Sequence, residues 1–179
     1  MIRNGVFIYV LLFIILKVDA QSQPSLMINS LKQCDSNVSY PVEASVDFYI
    51  KDKKQFANGN ATLKIPVGND IRSNCTVEHR IGKRYFYLFS FVEKDVCKAI
   101  HKYLGEFSYE IERSAGLVPG LCPIPQGRYH VHDVLLNFDR ITMSLEAFPY
   151  GDLRFTTVVI DKTNRVVACF IVTVKNSEA

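Results

Sequence analysis

The sequence offers few side chains that could perform acid–base or metal chemistry. Two of its four histidines, His130 and His132, are separated by a single residue. In a strand this spacing places both imidazoles on one face, where they could form half of a metal site. No further ligands accompany them, so two exposed strand histidines are the favoured interpretation. A secreted metal protein or enzyme built on this pair is kept as a third alternative.

Nucleophilic chemistry has equally little support. The sequence contains no GxSxG elbow, HExxH, P-loop or GxGxxG motif. Cys122 could in principle be a thiol nucleophile, but in an exported chain a half-cystine is the better interpretation. We therefore predict a protein that is not an enzyme, with no catalytic residue, no cofactor and no metal.

The N-terminus predicts export. Arg3 precedes an apolar run over 5–16, and Val18-Asp19-Ala20 places compact residues where a signal peptidase cleaves. The run is shorter than the ~20 apolar residues that span a bilayer. We expect residues 1–20 to be a signal peptide and 21–179 to form one domain that is secreted to the extracellular space.

Cysteines and sequons agree with that compartment. All five cysteines follow the predicted signal, and sequons at Asn37, Asn60 and Asn74 predict glycosylation. Because five is odd, at least one thiol is left over or pairs between chains. If Asn74 faces solvent in a strand, alternation turns Cys75 inward, where a thiol behaves as an inert small hydrophobe.

Composition limits the function classes. The net charge of +3 excludes a nucleic-acid binder with a dedicated basic face, and 48% hydrophobic residues exclude a disordered secreted chain. The aromatic residues are concentrated, above all in the YFYLFSFV run over 85–92. We expect this run to be a strand buried on both sides, or one wall of a lined cavity.

The elements that would position these residues are mainly strands. Alternating apolar residues and turn signals indicate about eight strands. They include a C-terminal hairpin formed by 153–160 and 166–174. Helical spacing predicts one short helix near 95–104 that ends at Gly105, followed by a loop rich in glycine and proline. The predicted fold is an antiparallel β-sandwich or β-cup with an internal apolar cavity.

Three stretches carry a resemblance to a known family: LCPIPQGRY over 121–129, FPYGDLRF over 148–155 and NRVVAC over 164–169. As an ordered set they resemble the ganglioside-activator branch of the ML lipid-recognition superfamily. The resemblance is closest to the insect secreted chemosensory lipid carriers of the CheA and CheB type. It covers about residues 90–175.

The resemblance implies a β-cup around a lipid cavity, with disulfide bonds Cys34–Cys169 and Cys97–Cys122. Phe148 and Tyr150 occupy the place of a tryptophan in the mouth loop of the activator. Since they flank a proline on a turn, we expect them to form an exposed aromatic lip. The candidate ligand-binding residues are Phe89, Phe91, Leu136, Phe148, Tyr150 and Phe155.

These observations favour a secreted, non-catalytic carrier or presenter of a hydrophobic ligand, such as a lipid or pheromone-like molecule, with chemosensation as the setting that the resemblance implies. The expected partners are that ligand, a membrane surface touched transiently, and a receptor; nucleic acid is not expected. The alternative is a secreted protein-recognition module of the same fold with a filled core, serving as an immune or matrix ligand.

Overall fold

The computed structural model describes residues 24–68, 70–138 and 148–178. The predicted signal peptide, 1–20, lies outside these residues. The described residues form eight strands and two helices. The strands are β1 (Pro24–Gln33), β2 (Val42–Lys51), β3 (Lys54–Leu63), β4 (Arg72–Ile81), β5 (Arg84–Glu93), β6 (Gly127–Leu135), β7 (Gly151–Ile160) and β8 (Val166–Glu178); the helices are α1 (Val96–Leu104) and α2 (Glu106–Ser114).

In the described part of the chain the strands form two antiparallel sheets. The larger has the order β1-β8-β7-β4-β5, and the smaller has the order β2-β3-β6. The two helices lie between β5 and β6 in the chain. The fold is therefore mainly β, and it has the sandwich or cup architecture predicted from the sequence.

Local turn chemistry explains two of the hairpins. Asp52 and Lys53 both have positive φ angles, of 50° and 62°, as the tight β2–β3 turn requires. In the β7–β8 turn, Asn164 has a φ of 62° and Asp161 accepts hydrogen bonds from the backbone N–H groups of Thr163 and Arg165.

The helices follow the sequence only in part. The Asp95 side chain accepts a hydrogen bond from the Lys98 backbone N–H and caps α1, and Gly105 ends that helix. The second helix, α2, was not predicted, because a loop was expected after Gly105. It begins immediately at Glu106, and Ser108 Oγ donates to the Gly105 carbonyl at 2.7 Å.

Two disulfide bonds fasten this architecture. Cys34 is joined to Cys169 and Cys97 to Cys122, with Cα–Cα distances of 5.3 and 6.0 Å. The first ties the end of β1 to β8, and the second ties α1 to the segment before β6. Their sequence separations are 135 and 25 residues, for which the chain-entropy model gives about 5 and 3.5 kcal/mol of stabilisation.

The aromatic run over 85–92 is not buried on both sides. Its strand, β5, is an edge of the larger sheet and pairs with β4 alone among the described residues. The side chains of Phe86, Tyr87, Leu88, Phe89 and Val92 are all exposed. Strand order, which composition does not reveal, decides this difference.

No described helix combines the length and apolar character needed to cross a bilayer.

Candidate functional site

A cavity of about 570 Å³ lies between the sheets. Its wall is made by the inner face of the larger sheet, by α1, and by residues of β2, β3 and α2. Apart from Ser73, Glu93, Tyr103 and Thr157, the side chains that line it belong to apolar residues or to cysteine. The volume lies within the ~300–1,000 Å³ that is usual for small-molecule pockets.

The period of two in β7 and β8 builds most of the wall. On β7 the inward positions are Leu153, Phe155, Thr157 and Val159; on β8 they are Ala168, Phe170, Val172 and Val174. Alternate residues of a strand point to the same side, so each strand contributes four consecutive inward side chains. Eight positions of two paired strands therefore form one continuous and nearly apolar surface.

Helix α1 covers the cavity from the other side. Its residues Val96, Ala99, Ile100, Tyr103 and Leu104 all line the cavity. Their spacing of three and four residues defines a single helix face. The Cys97–Cys122 bond holds this helix in place beside the segment that precedes β6.

An aromatic group stands at the β5 end of the cavity. The ring centroids of Phe148 and Phe155 are 5.7 Å apart, and those of Phe91 and Tyr103 are 5.4 Å apart. All four residues line the cavity. These separations are typical of favourable tilted aromatic pairs, so the group forms a packed apolar corner.

The turn over 148–151 does not form the exposed lip that was expected. Phe148 is only 9% exposed and enters the cavity wall, whereas Tyr150 is 50% exposed and does not line the cavity. The buried Asn176 amide explains the inward course of the turn, because its Nδ2 donates to the carbonyls of Phe148 and Pro149 at 3.1 and 3.2 Å. A buried side chain thus supplies the hydrogen bonds that the turn backbone would otherwise take from water.

The cavity has one charged corner. Glu93 lines it and accepts hydrogen bonds from Lys102 Nζ, at 2.6 Å, and from the Tyr103 hydroxyl. The bond from Lys102, followed by that from Tyr103, lowers the pKa of Glu93, and the bond to Glu93 raises the pKa of Lys102. A polar group of a ligand could be placed here while its apolar part occupies the rest of the cavity.

Cys75 carries a free thiol in the cavity wall. It is buried, it belongs to neither disulfide, and burial raises its pKa, while a hydrogen bond with Thr157 acts in the opposite direction. The raised pKa keeps the thiol protonated and therefore weakly nucleophilic. Its neighbour Asn74 is exposed, which is the condition from which alternation predicted an inward Cys75, and Asn37 and Asn60 are exposed as well. Glycosylation at the three sites stays a prediction.

Comparison with known proteins gives only a distant likeness. No family model and no curated protein matches the sequence. Chicken MD-1 in complex with lipid IVa is similar at a TM-score of 0.36 and 19% identity, over 84% of this chain and 90% of that one. A Niemann-Pick type C2 protein from the Japanese carpenter ant is similar at a TM-score of 0.30 and 11% identity, over 83% and 86%. These TM-scores are too low to indicate a function, so the function proposed below rests on the cavity.

The candidate ligand-binding residues are divided by the structure. Phe91, Phe148 and Phe155 line the cavity together. Phe89 is exposed, although its ring centroid lies 5.8 Å from that of Phe148. Leu136 does not line the cavity; it is buried in a second cluster with Ala57, Phe107 and Val134.

The histidine pair lies on the surface of the smaller sheet. His130 and His132 are both exposed on β6, and His130 Nδ1 is hydrogen-bonded to Asn60 Oδ1. In the described residues no three histidine, cysteine or acidic side chains form a group that could hold a metal ion.

Sequence reasoning missed much of the wall. Leu26, Ile28 and Leu31 of β1, and Phe107 of α2, line the cavity without having been selected. The apolar alternation of β7 and β8 was visible and could have identified their inward residues. The β1 residues were harder to find, because a register shift between Ile28 and Ser30 interrupts their alternation.

Proposed function

We propose that this protein is a secreted, non-catalytic carrier or presenter of a hydrophobic ligand held in the cavity between its sheets. The observation that carries the proposal is the cavity itself, about 570 Å³ with an almost wholly apolar lining. Apolar surface in contact with water is costly, and an apolar ligand removes that cost. Two disulfide bonds and three predicted glycosylation sites support an extracellular setting.

The energetics suit a lipid-like ligand. Burial of one methylene contributes about 0.8 kcal/mol, so a chain of about sixteen carbons gains roughly 13 kcal/mol before the cost of ordering it. Glu93 and Tyr103 supply one polar corner, with Glu93 paired to Lys102 outside the lining, which favours an amphiphile with a small polar group over a pure hydrocarbon. A pheromone-like molecule and a chemosensory setting follow from the sequence resemblance alone.

The alternative, a protein-recognition module with a filled core, is less well supported. A filled core has no reason to leave a cavity of this size, because protein interiors are close-packed. Transient contact with a membrane surface and presentation to a receptor remain parts of the proposal.

Direct extraction tests the proposal. The secreted protein, purified without detergent, is extracted with organic solvent, and the extract is analysed by mass spectrometry for lipids in near-stoichiometric amount. Thr157→Phe should reduce the bound lipid because Thr157 lines the cavity. The matched control is Thr156→Phe, one residue away on the opposite face of β7, which should not. Equal lipid content in the two variants, or no lipid in the native protein and no uptake of a fluorescent fatty-acyl probe, would contradict the proposal.

A further inference from the structure

One edge of β5 pairs with no described strand, and it lacks the features that usually protect sheet edges from further pairing. It is ten residues long, contains no proline and carries the apolar sequence YFYLFSFV between Arg84 and Glu93. Tyr87 and Val92 are 64% and 60% exposed, and β5 pairs with no described strand other than β4. Long apolar edges recruit further strands unless they are blocked by charges, prolines or cover. Here the two charges stand only at the ends.

The pairing with β4 shows which way each β5 side chain points. Phe91, Phe89 and Phe86 lie opposite Cys75, Val77 and His79, respectively, and residues directly opposite each other share a face. The register shifts between Val77 and Glu78, so that Leu88 is an extra residue on β5. The inner face of β5 therefore carries Arg84, Phe86, Phe89, Phe91 and Glu93, and the outer face carries Tyr85, Tyr87, Ser90 and Val92.

We propose that β5 pairs in an antiparallel manner with β5 of a second copy of this chain, so that the two larger sheets become one. One register satisfies the side-chain faces along the whole strand. It places Phe89 opposite its own counterpart on a twofold axis, and Leu88 of each copy remains the extra residue beside that axis. The other pairs are Phe86 with Phe91, Tyr85 with Val92, Tyr87 with Ser90 and Arg84 with Glu93.

The same register matches charge as well as shape. Arg84 of each copy meets Glu93 of the other, which gives two opposite-charge pairs related by the axis. Arg84 is exposed, and its side chain makes no hydrogen bond or ion pair with a described residue. Glu93 receives the hydrogen bonds of Lys102 and Tyr103 on its Oε1, which leaves Oε2 for a second cation. Cross-strand aromatic, aromatic–aliphatic and opposite-charge pairs are the contacts that stabilise antiparallel sheets.

Two neighbouring basic residues, one inside and one outside the proposed paired segment, provide a matched pair of variants for testing dimerisation. Arg84 lies inside the paired segment, whereas Lys83 lies in the turn before β5. In the proposed register Lys83 of one copy approaches Lys94 of the other, not a carboxylate. Arg84→Glu and Lys83→Glu therefore change the net charge equally but should act differently on assembly.

Sedimentation velocity of the glycosylated, secreted protein over a range of concentrations tests the proposal. The wild type should show a concentration-dependent dimer. Arg84→Glu should weaken dimerisation at least tenfold, Lys83→Glu should leave it equal or stronger, and Ile50→Lys, an exposed apolar position on β2, should leave it unchanged. A wild type that is monomeric at every concentration, or equal losses in the two Glu variants, would overturn the proposal.

A positional test locates the axis. Phe89→Cys should form a disulfide-linked dimer on mild oxidation, because directly opposite residues have Cα atoms about 4.5–5.5 Å apart, within disulfide reach. Tyr87→Cys, which faces Ser90 of the second copy, should do so far more slowly. Equal cross-linking at both positions would overturn the register. Binding of a monomer to phosphatidylserine vesicles through β5, with no dimer in solution, would overturn the second copy as the occupant.

Discussion

Two aromatic regions of the larger sheet have similar composition and opposite environments. Phe91, Phe148 and Phe155 lie in the cavity wall, whereas Phe86, Tyr87 and Phe89 are exposed on the β5 edge. The first region is covered by α1 and the second sheet, and it includes Phe91 near the C-terminal end of β5. The second region lies earlier on the same strand, which pairs with β4 alone among the described strands. The comparison teaches that position in the sheet, more than residue type, decides what an aromatic residue does here.

The largest expected difference between the regions is in stability. Leu153 is 1% exposed, so Leu153→Ala should lower the free energy of unfolding by about 2–5 kcal/mol. Val92→Ala at the β5 edge should change it by less than about 0.5 kcal/mol. Urea unfolding measures both, in the Arg84→Glu background so that self-association does not contribute. Equal losses would mean that the edge is covered in solution.

The turn over 148–151 contains both a cavity-wall aromatic residue, Phe148, and an exposed one, Tyr150, so it allows the same comparison within four residues. Phe148→Ser should reduce binding of a fluorescent fatty-acyl probe several-fold and should also lower the melting temperature, because the ring lies in the wall and packs against Phe155. Tyr150→Ser should change both measurements little, because Tyr150 is half exposed. A variant of Tyr150 that binds the probe as poorly as that of Phe148 would restore the exposed-lip interpretation.

The same turn shows what sequence could and could not predict. The C-terminal hairpin, the β-rich fold and the position of α1 were all predicted, because alternation, helical spacing and capping residues are local signals. The inward course of Phe148 depends on Asn176, 28 residues further along the chain. No local pattern records such a contact.

The exposure of β5 could not be predicted from the sequence either, because it too depends on contacts between distant parts of the chain. A run such as YFYLFSFV is equally compatible with a central and an edge strand, because its side chains are apolar on both faces. The structure assigns it to the edge through the order β1-β8-β7-β4-β5, which is a property of long-range pairing. Three of the six candidate ligand-binding residues lie in the cavity wall: Phe91 and Phe155 on strands, and Phe148 on the turn that Asn176 holds inward.

Cys75 provides a probe of the wall that needs no bulky substitution. Because its thiol is buried and its pKa is raised by burial, a charged thiol reagent should label it slowly in the native protein and rapidly after denaturation. Occupancy of the cavity by a lipid should slow labelling by an apolar maleimide further, since Cys75 is part of the lining. Labelling at the denatured rate in the native state, or a dimer linked through Cys75, would show that this part of the wall opens to solvent.

The smallest expected effect lies at the β7–β8 turn, where the strands that build the wall are joined. Asp161 accepts hydrogen bonds from Thr163 and Arg165, and these, with the Thr163 side chain contributing most, lower its pKa from 3.8 to about 2. A carboxyl whose pKa is lowered by folding stabilises the protein above its unfolded pKa, and that contribution disappears as the pH falls through the folded value. Stability should therefore decline between about pH 4 and pH 2, and Asp161→Asn should remove part of that decline.

Thermal unfolding as a function of pH measures the difference, with Asp47→Asn on the exposed side of β2 as the control. If Asp161→Asn and Asp47→Asn give the same pH profile as the wild type, the turn contributes nothing to acid stability, and the strength of the β7–β8 pair resides in its inward side chains alone.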